Sequence, residues 1–282
     1  MPELPEVEIT VRRLEPALRD VVVESALAPG VVTLKSVDPP LSAIVGRPFT
    51  ALRRRGKLLL FELDGLTLMV HLMSGGRIGV SSKRASLRDR ASRLLVRLED
   101  GRELRLREAG TRQRAWAKLL PSSEVDADEA VVTLGPEAWP TPDIEIFREL
   151  VDAPRHLHPM LRDQRVIAGI GRSWVDEILW TARLSPFRTG AELDPDEVEL
   201  LRRACSDVLG AVIDFYEREI GDELPRRLPM PLQVHGRQGD ACPRCGARLE
   251  AVHFAEHVTT YCPEEQTGGR VLKDRRLSRL LK

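Results

Sequence analysis

The residues with the most reactive chemistry stand at the very start of the chain, Met1-Pro2-Glu3-Leu4. Removal of the initiator methionine would leave Pro2 as a terminal secondary amine. An α-amino group titrates near ~8, so much of it is unprotonated at neutral pH. Such an amine can attack an electrophilic sugar carbon and hold it as a Schiff base, the covalent strategy that lysines use elsewhere. Glu3, beside it, offers a carboxyl for acid or base work. A second group, Arg53-Arg54-Arg55-Gly56-Lys57, sets a lysine directly before the apolar run Leu58–Glu62. A third is Cys242-Pro-Arg-Cys245 followed, after sixteen residues, by Cys262. That spacing is most of a zinc ribbon, and a structural zinc takes four ligands in a tetrahedron. The fourth is left open, with His253 and His257 as candidates if the loop folds over, or the segment folds as a β-hairpin without metal. Cys205 falls on an apolar helical stripe and is predicted to pack in a core.

The elements that must position these groups are legible in the periodicity. Val7, Val11, Leu14 and Leu18 form one stripe of a helix from about Glu6 to Leu18. Pro2 would then lie at the positive end of the helix dipole, which favours the unprotonated amine. The period then changes: Leu58–Leu63 and Leu66–Leu72 flank Asp64-Gly65, and Arg93–Glu99 and Arg102–Arg107 flank Asp100-Gly101. Apolar runs around Asp-Gly predict β-hairpins. Asp194-Pro195 predicts an N-cap followed by proline at the first helical position. Val198, Leu201, Cys205, Val208, Val212 and Phe215 continue as the buried face of that helix. Between Leu161 and Pro186 lies a second turn signal, Gly169-Ile-Gly171-Arg172, with Ser173 and Asp176 predicted to cap the helix that follows. A glycine turn at a helix N-terminus is a ready phosphate site.

The fold class predicted is therefore α+β: an N-terminal antiparallel β-sandwich led by a helix (1–122), an acidic proline-bearing linker (123–143), a helical domain (144–229) and a small C-terminal module (230–282). At 282 residues, 42% apolar and 30% charged, the composition is that of a globular chain. No run approaches the ~18 apolar residues of a membrane span, and the first twenty residues are too acidic for a signal peptide; a cytosolic monomer is expected. Net charge is zero, but Arg77–Lys118 holds thirteen Lys/Arg and five Asp/Glu (13 − 5 = +8), while Glu124–Asp152 holds one and nine (1 − 9 = −8). A basic surface fit for nucleic acid is hidden in the total.

Read together, these segments resemble the formamidopyrimidine-DNA glycosylase/endonuclease VIII family, whose members excise oxidised bases and nick the backbone. The likeness is carried by Pro2-Glu3-Leu4-Pro5-Glu6-Val7-Glu8, by Arg53–Lys57, by His71-Leu72-Met73-Ser74-Gly75, by Gly169-Ile-Gly with Asp176-Glu-Ile-Leu and Leu184-Ser-Pro, and by the cysteines. It implies a helix–two-turn–helix and a C-terminal zinc finger. It implies Pro2 as nucleophile, Glu3 as proton carrier and Lys57 as the phosphate contact that assists β-elimination. Gly169, Gly171 and Arg172 would hold DNA phosphate. Met73 is either a wedge filling the gap left by an extruded base or a core residue.

The chain also departs from the family pattern. Arg172 stands where asparagine is usual, His257 where an arginine reaches the lesion phosphates, and Glu265 where the fourth cysteine is expected. Glu108–Arg114 replaces the segment that supplies further void-filling residues, and no Ser/Thr-rich loop precedes the cysteines. The basic tail, Gly268–Lys282, resembles that of one bacterial branch. The resemblance implies a bifunctional DNA glycosylase/lyase on damaged double-stranded DNA with a structural Zn2+. The alternatives are a preference for oxidised pyrimidines or abasic sites, as in endonuclease VIII, and a catalytically weakened damage-binding module.

Overall fold

The computed structural model describes residues 2–30, 32–86, 88–254 and 257–272. The chain divides into two compact units, Met1–Thr133 with Ile213–Pro229, and Leu134–Val212 with Met230–Lys282.

The first unit opens with helix α1 (Leu4–Leu18). Its strands are β1 (Val23–Leu27), β2 (Ala51–Arg55), β3 (Leu58–Leu63), β4 (Leu66–His71), β5 (Gly76–Ser81), β6 (Ser92–Leu98), β7 (Glu103–Glu108) and β8 (Trp116–Pro121), followed by the short helix α2 (Glu129–Val132). They form two four-stranded antiparallel sheets, β1-β6-β7-β5 and β2-β3-β4-β8. Between them lies an apolar core built from alternate residues of both, including Leu59, Phe61, Val70, Leu94, Val96, Leu104 and Leu106, with Val7, Leu14 and Leu18 of α1. The two Asp-Gly turns differ. Asp64 (φ 36°) and Gly65 (φ 82°) both take positive φ and join β3 to β4 as a two-residue hairpin. In the second turn only Gly101 is left-handed (φ 87°), and Asp100 Oδ1 instead accepts the Arg102 N–H at 2.9 Å.

The second unit holds α3 (Ile144–Val151), α4 (Leu157–Leu161), α5 (Arg172–Thr181) and the larger part of α6 (Pro195–Glu219), then the hairpin β9 (Glu250–Phe254) and β10 (His257–Tyr261) and the short α7 (Pro263–Thr267). Asp194 caps α6 as its sequence predicts, its Oδ1 accepting the Glu197 N–H at 2.9 Å. The buried face of α6 slips by one position along its length. Leu209 and Tyr216 are fully buried, whereas the sequence stripe named Val208 and Phe215. A 3.5-residue reading drifts against a straight helix of 3.6 residues per turn. Residues from Ile213 onward belong to the first unit, so α6 is shared between the two. The expected linker is partly structured, with a 3-10 turn over Ser122–Ala127 and α2 capped by Asp128.

Candidate active site

In the first unit the reactive end of the chain is built into the interior. Pro2 and Glu3 are buried just ahead of α1. The Glu3 N–H donates to Glu6 Oε2 at 2.8 Å, closing the first helical turn. Glu6 Oε1 accepts the hydroxyl of Tyr216 at 2.8 Å, and this phenol is itself fully buried. Burial, then the charge and hydrogen bond of Glu6 and the charge of Glu3, push the Tyr216 pKa upward. The phenol therefore stays a donor and fixes Glu6. Sequence reasoning passed over both residues. The signal available was the Glu3-x-x-Glu6 spacing of a capping pair and a tyrosine next to the predicted stripe.

Two further clamps hold α1. Arg54 of β2 donates to Glu8 Oε2 at 2.6 Å, and Arg12 donates to Glu8 Oε1 at 2.8 Å. Burial opposes the Glu8 charge, but the two guanidiniums outweigh it and leave its pKa below the usual carboxylate range. Arg12 and Arg13 both pair with Glu217, and Arg13 also donates to the carbonyls of Ile220 and Gly221. The end of α6 within this unit is thereby fastened to α1.

Lys57 follows Gly56 (φ 55°) in the two-residue turn between β2 and β3 and is 9% exposed. Its charge acts on His71, which stacks on Trp116 with ring centroids 5.8 Å apart. Burial first, then Lys57, lowers the His71 pKa from 6.5 to about 4. The imidazole is neutral, and its Nδ1 accepts the Met73 N–H at 2.9 Å. Met73 sits in the left-handed region (φ 48°), unusual for a residue with a side chain, and is half-buried rather than in the core.

In the second unit, Gly169 (φ 110°) needs the freedom of glycine, and its N–H donates to Gln164 Oε1 at 2.9 Å. Gln164 Nε2 donates in turn to the carbonyls of Arg162 and Ile170, a loop-forming role the sequence did not reveal. Gly171 is the N-cap of α5 and Arg172 its first residue. The expected Ser173/Asp176 cap is not formed. Asp176 Oδ2 instead accepts the Thr260 N–H at 3.0 Å and faces His235 Nδ1 at 2.7 Å, and its Oδ1 lies 3.2 Å from His158 Nε2. Glu177 accepts the backbone N–H groups of Gln233, Val234 and His235. Adjacent acids on α5 thus anchor both ends of the cysteine-bearing module.

The sulfurs of Cys242, Cys245 and Cys262 lie within 4.8 Å of one another. Burial opposes ionisation of Cys242, but the backbone N–H groups of Cys245 and Arg244 lower its pKa to about 7, while burial and its thiol neighbours raise that of Cys262 to about 12. Three convergent sulfurs, one of them easily ionised, form a donor set suited to a thiophilic metal. Glu265 is not among the three groups that converge. Its Oε2 accepts Arg244 Nη1 at 3.0 Å and lies 3.2 Å from Arg183 Nε, so the carboxylate is taken up by two guanidiniums. Among the described residues no fourth ligand completes the group. His253 is exposed on β9. His257 pairs with Phe254 across the hairpin, and its side chain lies outside the described set, as do Met1 and most of the basic tail.

The model of the formamidopyrimidine-DNA glycosylase N-terminal domain matches residues 1–114, and that of the family's helix–two-turn–helix domain matches residues 134–222. The chain belongs to the formamidopyrimidine-DNA glycosylase family. A relative of that name from Moorella thermoacetica is 36% identical over 89% of this chain and 94% of its own. One from Enterococcus faecalis is 30% identical over 97% of this chain and 100% of its own. Among solved structures, Lactococcus lactis Fpg in complex with an abasic-site DNA superposes with a TM-score of 0.84 at 28% identity, covering 94% of this chain and 99% of that one. The same organism's wild-type Fpg bound to an N7-benzyl-Fapy-dG DNA gives 0.85 at 29% identity, with 94% and 100% covered. No described helix is long and apolar enough to cross a membrane.

Proposed function

We propose that the protein is a bifunctional DNA glycosylase and abasic-site lyase of base excision repair, acting in the bacterial cytosol on damaged duplex DNA. The observation that carries this reading is a buried Pro2-Glu3 end whose first helical turn is locked by Glu6 and Tyr216, in a chain whose relatives are named formamidopyrimidine-DNA glycosylase.

The Pro2 nitrogen, freed of Met1, gives its lone pair to C1′ of the damaged nucleotide as the bond from C1′ to the base breaks. The base leaves with the electrons of the broken bond and takes up the proton that the Pro2 nitrogen sheds once it is bonded to C1′. Glu3 protonates the ring oxygen, so the sugar opens to an iminium on Pro2. Loss of a C2′ proton then expels the 3′ phosphate by β-elimination, with Lys57 holding that phosphate. Catalysis is covalent chemistry plus positioning. The base must first leave the stack, and Met73, preset in a strained conformation beside His71, is suited to fill the gap. Gly169, Gly171, Arg172 and His257 would contact the phosphate backbone. The thiols of Cys242, Cys245 and Cys262 would hold a structural Zn2+, which would supply cross-linking of the hairpin rather than chemistry.

Borohydride reduction in the presence of an abasic duplex tests the assignment. The protein with Pro2 at its terminus should be trapped as a covalent adduct, and Pro2→Gly or a Met1-retaining form should lose strand cleavage. Undiminished trapping by the Met1-retaining form would refute Pro2 as the nucleophile.

A further inference from the structure

The sulfurs of Cys242, Cys245 and Cys262 gather just beyond β10, where Cys262 is the N-cap of α7. Zinc held structurally takes four donors, and the register of the hairpin limits where a fourth can come from. His253 lies opposite Val258 and His257 opposite Phe254. They therefore stand level with points four and five residues before Cys262 on β10. At a strand rise of ~3.3 Å those points are about 13 and 17 Å from Cys262. One ion with bonds of about 2.0–2.3 Å cannot join groups that far apart. Asp240 is paired with Arg237.

Glu265 follows Cys262 by three positions, but the donor atoms that lie within 4.8 Å of one another do not include its own. Arg244 Nη1 and Arg183 Nε hold its Oε2 at 3.0 and 3.2 Å. Arg244 is itself fixed, lying 4.0 Å over the Trp180 ring and donating to the Trp180 carbonyl at 3.1 Å. Turning the carboxylate towards the sulfurs would give up these charge-assisted bonds, the strong class among hydrogen bonds. Access from solution is easier. Cys242 and Cys262 are buried and Cys245 is exposed, so solvent reaches the cluster at one corner. Nor does the module need a fourth chain ligand for its anchorage. Asp176 and Glu177 of α5 already tie both its ends.

Resting on the zinc reading, we infer that the three cysteines form an open site that takes its fourth donor from solution, as a small thiol. Chain donors fill every position of a closed structural zinc site, and an open position marks a site that exchanges a ligand. Three thiolates are a soft donor set, and a further sulfur matches it better than an oxygen does. The thiol binds as its thiolate, the proton passing to solvent. No electron is transferred.

The full chain, stripped of metal and reloaded with Co2+ alone, tests this by its absorption spectrum. Thiolate-to-cobalt bands in the near ultraviolet count sulfurs, and the visible bands report the donor set. In thiol-free buffer the count should be three. Titration with 2-mercaptoethanol, against a protein-free blank, should raise the ultraviolet intensity by about a third, from three sulfurs to four. The visible bands should move with it. Glu265→Gln should leave both spectra as they were, and Glu265→Cys should show four sulfurs with no thiol added. A spectrum of the unaltered protein that ignores the thiol would overturn the inference. So would a Glu265→Gln protein whose thiol-free spectrum changes, because the carboxylate would then be the fourth donor. Failure to take up cobalt would refute the zinc reading and the inference with it. Borohydride trapping through Pro2, in the other unit, is read separately and stands or falls on its own.

Discussion

At the scale of single residues, the site depends on side chains kept in an unusual state by their surroundings. His71 shows the consequence most directly, because its pKa is about 4 in the folded chain against an ordinary 6.5. In acid the unfolded chain takes up a proton that the folded one resists. The stabilising contribution is present in full above pH 6.5 and is lost as the pH falls towards 4, to the extent of about 3 kcal/mol. Denaturant titrations at pH 7 and pH 4.5 should differ by most of that amount, and His71→Gln should flatten the difference. An unchanged slope in the variant would show that another group carries it. Burial and the charge of Lys57 are what make this histidine special, and neither is visible in the string His71-Leu72-Met73.

At the scale of elements, the sequence was most informative where chemistry is local. The Asp64-Gly65 hairpin, the Asp194 cap and the helix after Pro2 all follow from residues within a turn of each other. Asp176 shows the opposite case. Its position three residues after Ser173 matches a cap, yet partners from β10 and from the segment before β9 draw it inward, and no local pattern announces them. The junction of α1 with the end of α6 is also tertiary. Glu6 and Tyr216 are 210 residues apart. Tyr216→Phe removes the hydroxyl that donates to Glu6 Oε1, and should cost about 1–2 kcal/mol of stability. Because Glu6 holds Glu3, borohydride trapping should also slow. A variant that loses stability yet traps at the original rate would confine Tyr216 to a packing role.

At the scale of the molecule, a net charge of zero conceals the feature that matters. The basic run Arg77–Lys118 becomes β5 through β8, and in β5 and β7 strand alternation sets Arg77, Arg105 and Arg107 against Ile78, Leu104 and Leu106, which build the core. The acidic run falls largely in and around the connection between the units. The cluster of three cysteines was legible, and what would complete it as a metal site was not. Glu265 stands at the right distance along the chain, but Arg183 and Arg244 reach it first in space. Purified protein should carry one zinc per chain by elemental analysis, bound through three thiolates. Cys242→Ser should lose the metal and lower the unfolding temperature of the unit that contains it. The pH response of His71, which belongs to the other unit, should survive.

The burial of Pro2 and Glu3 also sets a deadline on maturation under the chemistry proposed. An aminopeptidase needs an extended, accessible end, and here the second residue is enclosed while the third has its N–H tied into the first turn of α1. Trimming must therefore occur on the nascent chain, before that turn closes. Molecules that escape it would fold around an uncut terminus, and later exposure to the peptidase would not rescue them.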